Sequence, residues 1–208
     1  MENPKAQKIF EVLTKAYPNA RCELDYNSNF ELLVATVLSA QCTDKRVNIV
    51  TKELFKLANT PIAMLELGQS ALEKIIRSCG FFREKSKNIL ALSNDLVAKY
   101  NGEVPSTLEE LTALKGVGRK TANVVLSEAF GQNTIAVDTH VFRVSRRLGF
   151  SEGKTPLAIE KDLMEVFKEN ASKMHQLLIF HGRYCCKSLN PNCSGCPVED
   201  CKLMRNDK

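Results

Sequence analysis

Apolar residues recur along this chain at helical spacing, stripe after stripe, and nowhere alternate with the period of two that a half-buried strand requires. Ile9, Leu13, Ala16 and Tyr17 mark one face, and Pro18 stops that helix. Phe30, Leu33, Val34, Val37 and Leu38 make a second stripe, and Val47, Val50, Leu54 and Leu57 a third. Ile89, Leu92, Leu96 and Tyr100 form another, ended by Asn101-Gly102. Ser106 and Glu109 have capping-box spacing ahead of Leu111. Thr155-Pro156 has the form of an N-cap followed by proline at the first helical position, and Leu157, Leu163, Val166 and Phe167 then supply an apolar face. Thr134 to Val137 is extended at most, and no internal repeat or low-complexity segment is visible. The expected fold class is therefore all-α, with short loops favouring a compact bundle.

A chain of 208 residues makes one or two small domains and can bury a sizeable core. Its 44% hydrophobic and 25% charged residues exclude disorder and collagen-like repeats. No apolar run approaches the roughly 18 residues of a transmembrane helix. Met1 to Lys8 lacks the apolar centre of a signal peptide, so a cytoplasmic protein without membrane contact is expected. The net charge of +5 decides little, but its distribution is uneven. From Lys115 to Lys154 seven basic residues stand against three acidic ones (Glu128, Asp138 and Glu152). Such an excess suits a polyanion such as nucleic acid, and equally a solvated helical face.

Five of the eight cysteines lie between Cys185 and Cys201. Cys186, Cys193, Cys196 and Cys201 are separated by six, two and four residues. In a cytosolic protein four soft thiolates so close together point to one metal centre, with spacing alone leaving zinc and iron–sulfur open. Cys185 could in principle replace Cys186. Cys22, Cys42 and Cys79 are scattered and are expected to be small buried apolar residues.

Between two helical patterns, Glu109 to Leu114 and Arg119 to Phe130, lies Leu114-Lys115-Gly116-Val117-Gly118-Arg119-Lys120-Thr121-Ala122. Two glycines one residue apart allow a tight turn with positive φ angles, which turns N–H groups and a helix start outward as an anion site. A P-loop is excluded because Arg119 separates the last glycine from the lysine, and a dinucleotide fingerprint because Thr121 stands in place of its third glycine. In isolation the pattern is weak evidence and reads first as a plain helix–helix turn.

Taken in order, four segments resemble the helix-hairpin-helix (HhH-GPD) DNA glycosylases, and among them the iron–sulfur members with lyase activity. They are Leu38–Asp44 (LSAQCTD), Leu114–Leu126 (LKGVGRKTANVVL), Val137–Arg147 (VDTHVFRVSRR) and the terminal cysteines. The family usually has proline where Lys115 stands. The phosphate site, formed by backbone around Gly116 and Gly118 beside Arg119, does not need it. The resemblance implies a 4Fe–4S cluster on Cys186, Cys193, Cys196 and Cys201. The last gap, Pro197-Val198-Glu199-Asp200, is one residue shorter than is usual in the family. The implied role is structural, tying a loop whose Lys187 presents charge to phosphates.

The implied chemistry is removal of oxidised pyrimidines from duplex DNA, followed by β-elimination at the abasic site. An amine attacks C1′, expels the base and forms a Schiff base that makes the C2′ protons acidic. The amine must be neutral to attack. The family's nucleophilic lysine falls on Lys120, in a first helical turn where the positive dipole end and neighbouring Arg119 both disfavour an ammonium. Its catalytic aspartate falls on Asp138, which is also placed to cap the helix starting at Thr139. His140 is expected to be packed or hydrogen-bonded. The nucleotide must be flipped out; Gln41 looks like the residue inserted in its place, and Phe81 is either an apolar wedge or a core residue.

The resemblance implies two lobes, residues 22–133 with the hairpin, and 1–21 plus 134–208 with the cluster, so that Lys120 and Asp138 meet in a cleft that DNA crosses. The expected partner is double-stranded DNA with oxidised pyrimidines or abasic sites, bound by a nucleoid-associated monomer. Two alternatives stay open. An adenine glycosylase of the same superfamily uses a glutamate in the early helix, where Val34 to Gln41 here has no carboxylate. A non-catalytic hairpin module would bind abasic DNA without cutting it.

Overall fold

The computed structural model describes residues 3–199 and 201; residues 1, 2, 200 and 202–208, including Asp200 of the last cysteine gap, lie outside the described residues. Among the described residues ten α-helices occur in chain order: α1 (Pro4–Ala16), α2 (Asn29–Ser39), α3 (Asp44–Leu57), α4 (Pro61–Ile75), α5 (Phe82–Tyr100), α6 (Leu108–Ala113), α7 (Arg119–Phe130), α8 (Thr139–Leu148), α9 (Pro156–Phe167) and α10 (Ala171–Tyr184). A 3-10 turn, Lys168–Asn170, joins the last two. Among the described residues there is no strand, and Thr134 to Val137 runs without regular structure. The all-α expectation holds.

Local signals account for most helix starts. The Asn3 side chain accepts from the Lys5 and Ala6 N–H groups ahead of Pro4, and Thr60 and Thr155 cap α4 and α9 in the same way, each followed by proline. One start is displaced from the expectation. Thr107, not Ser106, caps α6: its hydroxyl donates to Glu110 Oε2 at 2.6 Å and accepts from the Glu110 N–H at 3.2 Å. Ser106/Glu109 and Thr107/Glu110 are one pattern shifted by a residue; the helix begins at Leu108, buries Leu111 and packs on α7. Helix α5 ends where Asn101 (φ 52°) and Gly102 (φ 81°) turn left-handed.

The chain divides into two compact units. The unit Glu23–Gly131 is organised around α2, in which every residue from Phe30 to Leu38 is buried. A helix apolar on all sides must be enclosed, and α3, α5 and α7 pack on it while α4 packs on α3 and α5. Each large aliphatic side chain fully removed from water, such as Leu32, Leu33 and Leu38, contributes about 1.5–3 kcal/mol.

The other unit combines the described residues through Cys22 with those from Gln132 onward. Its core joins Ile9 and Leu13 of α1, Val141, Val144 and Leu148 of α8, Ile159 and Leu163 of α9, and Met174, Leu177 and Leu178 of α10. Phe150 and Phe167 meet edge-on, with ring centroids 4.9 Å apart. Cys186, Val198 and Cys201 belong to the same buried cluster, so the cysteine loop is part of this core.

Candidate functional site

In the unit Glu23–Gly131, α6 and α7 are joined by Leu114 to Gly118, as the two helical patterns required. Only Gly116 adopts a positive φ, 78°; Gly118 has φ −87° and ψ 171°, an extended conformation open to any residue. The expectation of two left-handed glycines is thus corrected. The two glycines serve different ends. A Cβ on Gly116 would lie 2.7 Å from Asn88 Cβ on α5, whereas one on Gly118 would meet nothing within 4 Å. Gly116 lets the hairpin seat on α5. Gly118 is the N-cap of α7, and no side chain caps that helix. An uncapped, exposed N-terminus is where an anion finds oriented N–H groups. Arg119 and Lys120, its first two residues, are both exposed.

Gln41 and Phe81 lie on neighbouring segments of the same unit. Gln41, exposed just past the end of α2, is left-handed with φ 53°. Phe81, just before α5, is left-handed with φ 57° and is 70% exposed. Core packing is therefore excluded for Phe81. The two segments lie close together: a Cβ on Gly80 would lie 3.5 Å from the Gln41 carbonyl oxygen. Beneath them sits Lys85, a residue that sequence reading missed. Its side chain is 6% exposed, and its Nζ donates to Leu38 O at 2.8 Å and to Ala40 O at 2.7 Å. Burial pushes its ammonium below the ordinary lysine range, while the Cys79 and Cys42 thiols oppose that shift. Flanked by Arg83, Glu84 and Lys87, it has the sequence signature of an exposed charge. Of the scattered cysteines only Cys79 is buried; Cys22 and Cys42 are half-buried, contrary to expectation.

Asp138, in the other unit, caps α8: the Val141 N–H donates to its Oδ1 at 2.7 Å. His140 Nδ1 lies 3.2 Å from Arg143 Nη2, which is the hydrogen-bonded role expected of it. Arg143 also donates to Cys186 O from Nε (3.1 Å) and Nη2 (3.0 Å), and to Gly182 O (2.9 Å). Arg147, one turn on, reaches Lys187 O at 2.7 Å and Cys186 Sγ at 3.4 Å. Two arginines on one face of α8 therefore clamp the start of the cysteine loop.

Cys185, Cys186, Cys193, Cys196 and Cys201 line one cavity with His181, Arg147, Leu148, Pro191 and Asn192. Among the described residues no carboxylate lines it, and the donors are thiols and one imidazole, which suit iron or zinc rather than a hard cation. The four thiols singled out from the sequence all face this cavity, and they fit a thiolate-ligated centre. The closest donor group, however, is His181, Cys185 and Cys196, with ligand atoms within 4.8 Å of one another. Burial pushes the Cys185 thiol up to about 12 and the His181 imidazole down to about 4. His181 Nδ1 lies 3.1 Å from the Tyr17 hydroxyl and Nε2 lies 3.8 Å from Cys196 Sγ. No spacing in the sequence links a helical histidine to the cluster, so His181 was invisible there.

Residues 34–169 match the HhH-GPD superfamily base excision DNA repair protein pattern. The chain belongs to the HhH-GPD superfamily. Endonuclease III of Haemophilus influenzae is 49% identical over 201 residues, covering 96% of this chain and 95% of that protein. Endonuclease III of Bacillus subtilis is 52% identical over 184 residues, covering 88% and 84%. Among solved structures, a trapped endonuclease III–DNA covalent intermediate matches with a TM-score of 0.92 at 48% identity, over 97% of this chain and 98% of that one. A thermostable thymine-DNA glycosylase, at 19% identity and a TM-score of 0.87, shares the fold. Among the described residues no helix of this HhH-GPD protein is long and apolar enough to cross a membrane.

Proposed function

We propose that this chain is a base excision repair DNA glycosylase with abasic-site lyase activity, acting on oxidised pyrimidines in duplex DNA. The observation that carries the reading is the placement of Lys120. It is exposed in the first turn of a helix that begins at an uncapped glycine, in a fold whose 48%-identical relative was trapped covalently joined to DNA. The backbone around Gly116 and Gly118, with Arg119, holds a DNA phosphate, and that anchoring sets Lys120 against the extruded sugar.

The Lys120 amine attacks C1′ as the C1′–N bond breaks and the base leaves with the bonding electrons. The positive charge that develops on the sugar is stabilised by Asp138, whose Oδ1 caps α8 and whose Oδ2 is assigned to the sugar. The sugar ring then opens as the C1′–O4′ bond breaks and O4′ takes up a proton, leaving a protonated Schiff base on Lys120; this acidifies C2′, a proton is lost there, and the 3′ phosphate departs by β-elimination. Gln41 enters the space that the flipped nucleotide vacates and Phe81 wedges beside it; both are exposed at the tips of their segments.

Cys186, Cys193, Cys196 and Cys201 are assigned to a 4Fe–4S cluster, which supplies thiolate-ligated iron as a structural tie for the terminal loop. The arginine clamp from α8 to Cys186 and Lys187 orients that loop so that the exposed Lys187 faces phosphates. The protein acts as a nucleoid-associated monomer in the bacterial cytoplasm.

Incubation of the full chain with duplexes carrying thymine glycol or an abasic site tests the reading. Nicking of both, with a borohydride-trapped covalent adduct, is the expected result. Binding of abasic DNA without nicking would falsify it, and excision confined to adenine would replace the substrate.

A further inference from the structure

Lys85 carries an inference that deepens the glycosylase reading and rests on it. Its main chain and side chain serve the two exposed segments separately. The Lys85 backbone N–H donates to Phe81 O at 3.0 Å, in the opening turn of α5. The Lys85 Nζ, from within the protein, bridges Leu38 O and Ala40 O at the C-terminal end of α2. One residue therefore ties the segment of Phe81 to the segment of Gln41.

The chemistry of the contact is specific. The last carbonyls of a helix have no partners within it and carry the negative end of its dipole. An ammonium satisfies them and is itself stabilised there, which lets a lysine stay buried; the ionisable groups that act on it are the thiols of Cys42 and Cys79, not a carboxylate. Immediately after the second bridged carbonyl the chain turns left-handed at Gln41, φ 53°. That conformation is disfavoured for glutamine and persists only where its surroundings impose it. The pinned Ala40 carbonyl on one side, and the Gly80 backbone close to the Gln41 carbonyl on the other, supply that constraint.

We propose that Lys85 is a positioning residue for DNA insertion, fixing the left-handed turn that presents Gln41 and setting its spacing from Phe81. Lys85 touches neither substrate nor reacting atoms, and it acts through Gln41.

Lys85→Met keeps an unbranched side chain that matches the lysine stem and removes the donors. Single-turnover excision of thymine glycol should slow by on the order of tenfold to a hundredfold, the scale of a misplaced positioning group. Nicking of a preformed abasic site, which needs little help to extrude, should change by less than about threefold. In a Gln41→Ala background the same substitution should lose its effect, leaving less than about twofold, because residues acting as a unit are not additive. Equal slowing of both reactions, or multiplicative effects of the two substitutions, would overturn the assignment. If Lys85→Met does not fold by circular dichroism, Lys85→Leu, which likewise lacks donors, carries the same cycle. Hydrogen exchange of residues 39–42 in the native chain reads the turn without any variant. Protected amides support the pinned turn, and exchange at the rate of an unstructured loop refutes it. A wild-type chain that neither excises nor nicks, yet keeps the protected turn, refutes the glycosylase reading rather than the pinning.

Discussion

The Val141 N–H donates to the Asp138 carboxylate at 2.7 Å, so the residue assigned to stabilise the sugar cation also starts α8. The two roles separate by substitution. Asparagine caps as well as aspartate, so Asp138→Asn should leave stability within about 0.5 kcal/mol. It should still slow base excision on the order of a hundredfold, because a charge opposite the developing cation is gone. Asp138→Ala should lose the same activity and about 1 kcal/mol of stability as well. Thermal melts and single-turnover rates on the three proteins check both halves.

Lys120 stands exposed at the start of α7, away from the unit's core, and removing its amine should not disturb the fold. Lys120→Gln is expected to abolish borohydride trapping on abasic DNA and to retain DNA affinity within about threefold, since the phosphate contacts come from the backbone. Trapping that survives would move the nucleophile elsewhere. Affinity of wild type and variant alike should fall as salt rises, because phosphate contacts release counterions.

The hairpin glycines should respond oppositely. Gly116→Ala places a methyl 2.7 Å from Asn88 Cβ at a φ of 78°, and should cost about 1–3 kcal/mol, seen as a lowered melting temperature. Gly118→Ala meets no neighbour and should leave stability within about 1 kcal/mol. Its methyl would stand where a phosphate approaches the helix start, so DNA affinity should fall while the melt does not. Paired melts and binding titrations decide the matter.

The metal centre offers a choice between ligand sets. Cys186 is assigned as a ligand, whereas Cys185 and His181 form the closest donor group with Cys196. Cys186→Ser should lose the visible absorbance of thiolate-ligated iron, and Cys185→Ser should keep it. The reverse pattern would exchange the two. Arg143→Ala, which removes three hydrogen bonds to the Cys186 and Gly182 carbonyls, should hasten loss of iron to a chelator without changing the ligands.

The helices, the hairpin and the cysteine cluster were legible in the residues alone because their causes are local. The bounds of α7 follow from glycine before it and glycine after it. The caps at Thr155 and Asp138 need only a side chain and an N–H three residues on. Spacing within a few turns carries all of this. The tertiary structure decided what depends on distant neighbours. Two equivalent capping patterns near Ser106 and Thr107 were separated only in the folded chain, where Thr107 takes the cap. Phe81 could have been core or tip, and its exposure settles that side chain's surroundings. Gly116 is required by Asn88, 28 positions earlier, and Lys85 is buried by carbonyls more than 40 positions earlier. Burial and through-space contact arise from how helices pack, and a lysine among charged neighbours carries no local mark of which carbonyls it will meet.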